Sequence, residues 1–80
     1  MKIKILAFGI IKDIFSSASI IIDIENNETI AELKQVLESQ FPQLIQLKSY
    51  LIAVNNEYAL PDYKINEADE IAIIPPVSGG

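Results

Sequence analysis

Apolar and polar residues alternate from Lys2 to Phe8. Ile3, Ile5 and Ala7 fall on one face, and Lys4, Leu6 and Phe8 on the other. A period of two predicts a strand with a buried face and a partly apolar second face. Gly9 interrupts it. Ile10, Ile11, Ile14 and Phe15 then recur at helical spacing around Lys12 and Asp13, which predicts a short helical turn. From Ala18 to Ile24, Ile20, Ile22 and Ile24 alternate with Ser19, Ile21 and Asp23. This is a second strand, close enough in sequence to pair antiparallel with the first. Glu25-Asn26-Asn27-Glu28 has the chemistry of a polar turn.

The clearest helix opens at Thr29. Thr29 and Glu32 have capping-box spacing, so each side chain can satisfy a backbone donor that the first helical turn leaves free. Ile30, Leu33, Leu37 and Phe41 form one apolar stripe, widened by Val36. Pro42 disfavours helical backbone at Phe41 and ends the helix there, and Leu44, Ile45 and Leu47 suggest one further turn. Tyr50 to Asn55 reads as a strand, Asn55-Asn56 as a turn and Glu57 to Leu60 as a short return strand. Leu60-Pro61-Asp62 and Asn66 to Asp69 read as loops, and Glu70 to Ile74 as the last strand. Strand, strand, helix, strand, short strand, strand is an α+β order. It matches the β-grasp, in which one helix crosses a mixed sheet. The expected division is a β-grasp domain at 1–74 and an extended tail at 75–80.

Composition narrows the chemistry. Eighty residues make one small domain, and half of them are hydrophobic, enough for a compact core. There is no cysteine, hence no disulfide and no thiolate nucleophile, which fits a reducing compartment. Histidine is also missing, so Ser-His catalysis and the usual zinc sites have no support, and no metal site is expected. A net charge of −5 argues against nucleic acid and anionic membranes as partners. The start, Met1-Lys2-Ile3-Lys4, lacks a signal-peptide apolar region, and no apolar run has the length of a membrane span. The expected location is cytoplasmic.

The tail is where the pattern turns unusual. Ile71 to Ile74 is followed by Pro75-Pro76-Val77-Ser78 and then Gly79-Gly80. Prolines fix φ and cannot donate to a sheet ladder, so the pair ends the sheet and projects a stiff stalk. From Pro75 to Gly80 such a stalk reaches about 20 Å at ~3.3–3.6 Å per residue. Glycines permit close backbone approach, so the tail can thread a narrow slot and present the Gly80 carboxylate. The plain alternative is a frayed, functionless terminus. Other candidates read more blandly. Asp69-Glu70 and the Glu25/Glu28 pair sit at turns, where carboxylates are normally solvated. Ser16, Ser17 and Ser19 have no base to activate them, and the glycines form no phosphate-binding cluster. Lys12 is either an ion-pairing group for a partner or the wet side of a helical turn. Phe8, Tyr58 and Ile74 are candidates for an apolar docking patch.

Five segments carry a resemblance. Ile5-Leu6-Ala7-Phe8, Thr29-Ile30-Ala31-Glu32-Leu33, Ala53-Val54-Asn55, Asp69-Glu70-Ile71-Ala72 and Ile74-Pro75-Pro76-Val77-Ser78-Gly79-Gly80 fall in the order and spacing of the small subunit of molybdopterin synthase, the MoaD family. The resemblance covers essentially the whole chain, and the P-P-V-[ST]-G-G ending is its most specific part. It implies a ubiquitin-like β-grasp fold. It also implies an E1-like activating enzyme that uses ATP to adenylate the Gly80 carboxylate, after which sulfur replaces the adenylate to give a thiocarboxylate. The tail, Pro75, Pro76, Val77, Ser78 and Gly79, would then thread into the large synthase subunit and deliver sulfur to a cyclic pterin precursor, forming the molybdopterin dithiolene. Two small subunits would flank a dimer of large ones, and the small subunit would bind no cofactor itself. Lys12 and Ile74 occupy partner-contacting places of the family, with Phe8 and Tyr58 as further candidates. Two positions depart from the family. Ile10 stands where polar residues or arginine are frequent, and Lys12 where arginine is, which loses the bidentate fork. The alternatives are a sulfur carrier for thiamine or tRNA thiolation, a ubiquitin-like protein modifier, and an interaction module with an inert tail.

Overall fold

The computed structural model describes residues 1–47 and 49–75. Its elements are β1 (Lys2–Ala7), α1 (Ile10–Phe15), β2 (Ser19–Asp23), α2 (Ile30–Gln40), a 3-10 helix (Pro42–Gln46), β3 (Leu51–Val54), β4 (Glu57–Tyr58) and β5 (Ile71–Ile74). The strands form one sheet in the order β2-β1-β5-β3-β4. β1 pairs antiparallel with β2 and parallel with β5, and β3 pairs antiparallel with β5 and β4. The single parallel pair, first strand against last, makes the sheet mixed.

Alternation decides which face is covered. Ile3, Ile5 and Ala7 of β1 point inward with Ile22 of β2, Ile71 and Ile73 of β5, and Ile52 and Val54 of β3. They meet Ile30, Leu33 and Leu37, the expected stripe of α2. The Thr29–Glu32 capping box forms as its spacing predicts: Glu32 N–H donates to Thr29 Oγ1, and Thr29 N–H donates to Glu32 Oε1. Phe41 ends α2 and is only half-buried, its ring 4.5 Å from that of Phe15. Pro42 converts the continuation into a 3-10 turn that buries Leu44. Asn55 and Asn56 both take positive φ, at 52° and 70°, the pattern of a type I′ hairpin turn between β3 and β4.

The loop from Ala59 to Glu70 carries two features that periodicity does not announce. Ile65 is buried at 2% exposure, and Lys64 bridges Thr29, tying the loop to the start of α2. Asp69 is also more than a solvated turn acid. Its carboxylate accepts from Asn55 Nδ2 (2.9 Å), the Tyr63 hydroxyl (2.9 Å) and the Asn66 N–H (2.8 Å). Next to it, Asn55 accepts from Glu70 N–H through Oδ1 and donates its own N–H to the Glu70 carbonyl. Together they fasten the entry of β5 to the end of β3. Partial burial pushes the Asp69 carboxyl up, but the hydrogen bonds from Asn66, Tyr63 and Asn55 outweigh it and hold the group below the ordinary carboxylate range.

That sign fixes a prediction. A depressed folded-state pKa adds stability above the unfolded value near 3.8, and this stability is lost as pH falls through the folded value. Asp69→Asn is expected to cost about 1–2 kcal/mol at neutral pH, spanning the top of the range for neutral hydrogen bonds and the bottom of that for bonds to a charged group. The loss shrinks as the pH drops below about 4. Urea denaturation midpoints of both proteins from pH 7 to pH 2 measure it.

Candidate functional site

β1 and β5 run parallel, so their C-terminal ends lie side by side. Phe8-Gly9 leaves β1 next to Ile74-Pro75 leaving β5, with Ala7 opposite Ile73 in register. The root of the tail therefore emerges beside the start of α1. Gly9 sits at the N-cap of α1 with φ 54° and ψ −133°, a conformation that side-chain-bearing residues rarely adopt. A Cβ at Gly9 would lie 3.0 Å from Cγ of Pro75. The glycine makes room for the proline ring at the base of the tail.

On the sheet face turned away from α2, Leu6, Phe8, Ala53, Tyr58, Ala72 and Ile74 line a shallow hollow of about 320 Å³, with Asn56 and Glu70 at its edge. Phe8 is 49% exposed and Tyr58 68%, and Leu51 opposite Ile74 is also exposed. Alternation explains why they meet. Leu6 is in register with Ala72, Ala72 with Ala53 and Ala53 with Tyr58, so one row crosses four strands on the outer face. Small residues at 53 and 72 form the floor and large ones the walls.

Three expected contact residues, Phe8, Tyr58 and Ile74, are thus brought to one hollow. Lys12 is not in it. It is exposed on α1, and among the described residues it has no salt-bridge partner, the one salt bridge being Met1 N to Asp23 at 3.2 Å. Pro75 is half-buried at the end of the sheet. Pro76, Val77, Ser78, Gly79 and Gly80 lie outside the described residues. Sequence reasoning did not single out Leu6, Ala53 and Ala72, although the apolar second face of β1 was their signal. Gly9 was read only as a strand breaker. Among the described residues the buried side chains are hydrophobic, and Tyr50, the one of them with a hydroxyl, donates it to Glu38.

A mixed five-stranded sheet with one main helix laid across it defines a ubiquitin-like β-grasp protein. The crystal structure of SAMP1 from Haloferax volcanii has the same fold, with a TM-score of 0.84 over the full length of both chains at 21% identity. The pattern of the ThiS family matches residues 5–80. The molybdopterin synthase sulfur carrier subunit of Dictyostelium discoideum is 45% identical over 83 residues, covering 99% of this chain and 96% of that one. A chain in the complex of subunits 1 and 2 of molybdopterin-converting factor from Helicobacter pylori aligns over the full length of both chains, with a TM-score of 0.71 and 25% identity. The chain belongs to the ThiS family, alongside the molybdopterin synthase sulfur carrier subunits. No helix among the described residues is long and apolar enough to cross a membrane.

Proposed function

We propose that this chain is the sulfur-carrying small subunit of a molybdopterin synthase and that its reactive group is the Gly80 carboxylate. The observation that carries the reading is the placement of the tail root beside an exposed apolar hollow, in a chain 45% identical to a sulfur carrier subunit of that enzyme. A partner that covers the hollow with an apolar surface necessarily sits next to the point where the tail departs.

The chemistry follows from the terminus. A carboxylate is a poor acyl donor because its leaving group would be oxide. An E1-like partner supplies ATP: a Gly80 oxygen attacks the α-phosphorus and pyrophosphate leaves, giving an acyl adenylate. Sulfide-level sulfur then attacks the acyl carbon and displaces AMP, and the resulting thiocarboxylate is a softer nucleophile than the carboxylate it replaces. Inside the large subunit the thiocarboxylate sulfur bonds to a carbon of the cyclic pterin precursor, and water then cleaves the acyl–sulfur bond, leaving sulfur on the pterin and restoring the Gly80 carboxylate; two such transfers supply the dithiolene. General acids and bases for these steps are assigned to the partners, whose active sites enclose the tail; this chain itself offers neither histidine nor cysteine. Pro75 to Ser78 position the tail, Gly79 lets it pass the slot, and Phe8, Tyr58, Ile74 and Lys12 contact the partners. The assembly is a heterotetramer, two small subunits on a dimer of large ones, in the cytoplasm. ATP belongs to the activating enzyme.

Thiocarboxylated protein, large subunit and cyclic pterin precursor are mixed without any other sulfur source. The expected result is formation of the pterin dithiolene, limited in amount by the thiocarboxylate supplied. No product from a verified thiocarboxylate, with sulfur instead passing to a thiazole precursor or a tRNA, would move the chain to another carrier pathway.

A further inference from the structure

We propose that Gly9 is a positioning residue for the tail: it seats the Pro75 ring and so sets the direction in which the chain continues towards Gly80. The inference rests on the carrier reading for its functional consequence, but the seat itself is a property of the fold.

Two independent features of Gly9 point the same way. Its φ of 54° with ψ −133° lies where a side chain is strained whatever the space around it. Its missing Cβ is also where Pro75 packs, with Cγ at 3.0 Å and Cβ at 3.9 Å from the ideal Cβ position. That contact lies at the junction of three parts of the reaction geometry, two tied to Gly9 by the backbone and the third by packing. Phe8, a wall of the hollow, immediately precedes it. α1, which carries Lys12, starts from it, with Lys12 N–H donating to the Gly9 carbonyl (3.1 Å) and Ile11 N–H to the Phe8 carbonyl (3.0 Å). The tail root rests on it. A partner docked on Phe8 and Lys12 thus finds the departing tail at a set position relative to its own contacts. Proline suits the seat because its ring is rigid and its φ is fixed, so a local contact constrains the direction of the next residues. A shift of about 1 Å at the reacting atoms can cost on the order of a hundredfold in rate.

Strain and seating are separable by a double-mutant cycle of Gly9→Ala and Pro75→Ala. Pro75→Ala removes the ring carbon that a Cβ at position 9 would meet, while the strain of an L-residue at φ 54° persists. Each protein is read in three ways: urea denaturation, 15N relaxation of the Val77 amide, and kcat and KM for the carrier in ATP–pyrophosphate exchange by its activating enzyme. Gly9→Ala is expected to lower kcat about tenfold or more, with KM within about twofold, because the docking residues are untouched. In the Pro75→Ala background the same substitution should lower stability as before yet change kcat by less than about twofold. Pro75→Ala alone should keep the stability, loosen Val77 and lower kcat. Equal kcat effects of Gly9→Ala in both backgrounds, or unchanged kcat and Val77 relaxation in Pro75→Ala, would overturn the inference. If Gly9→Ala does not fold, Pro75→Ala alone still decides it. Absence of exchange with the unaltered protein would instead count against the carrier reading, while the relaxation arm would still test the seat.

Discussion

Deleting Gly79 and Gly80 is expected to abolish sulfur transfer while changing folding stability by no more than about 0.5 kcal/mol. Among the described residues the core cluster runs from Ile3 to Ile73, and the two glycines have no side chain to bury, so the fold has little to lose. The reaction has everything to lose. The shortened chain would end at Ser78, moving its carboxylate back by about 7 Å at ~3.3–3.6 Å per residue. Reacting atoms need to approach within about 3–3.5 Å, so the shortened terminus falls out of range of both adenylation and transfer. Urea denaturation and a pterin-conversion assay on the same preparations measure the two halves. Conversion at the rate of the intact chain would show that the terminal carboxylate is not the reactive group.

Phe8→Asp is expected to weaken binding of the large subunit by about 2–4 kcal/mol, the scale of an interface hot spot. This corresponds to roughly 30- to 1,000-fold in Kd. Phe8 is a wall of the hollow, half exposed in the free chain and outside the core cluster, so the fold tolerates the change. An aspartate there would bring an unpaired charge into a hollow walled and floored by Leu6, Ala53, Tyr58, Ala72 and Ile74, with the like-charged Glu70 at its edge. Ile45→Asp is the control. Ile45 is 65% exposed on the 3-10 helix and does not line the hollow, so its substitution should leave Kd within about twofold. Titration calorimetry against the large subunit separates them. Equal losses from both would place the docking surface elsewhere.

The elements that positioned this site were legible where a local rule had no competitor. Thr29 and Glu32 marked the start of α2 because capping-box spacing serves little else, and Asn55-Asn56 marked the turn because few other residues accept positive φ twice in succession. Alternation in β1 identified its inner residues correctly, and it also showed that Leu6 and Phe8 share the outer face. Whether Phe8, Tyr58 and Ile74 met could not be read from periodicity, because that depends on strand order and register across β1, β5, β3 and β4. The structure has β5 between β1 and β3. Ile65 was missed because one buried residue in an irregular loop has no period. Asp69 looked like an ordinary turn acid because its partners Asn55 and Tyr63 come from distant and loop positions. Gly9 signalled a break in the strand, but its role as a seat required Pro75, sixty-six residues later, to be placed against it.

The most direct test of the carrier reading is the intact mass of the protein purified from its own cells with its natural C-terminus, followed by fragmentation to locate any change. The reading predicts a fraction heavier by the difference between a sulfur and an oxygen atom, with the change at Gly80 and the reactivity of a thiocarboxylate. An unchanged Gly80, even after incubation with activating enzyme, ATP and a sulfur donor, would contradict it.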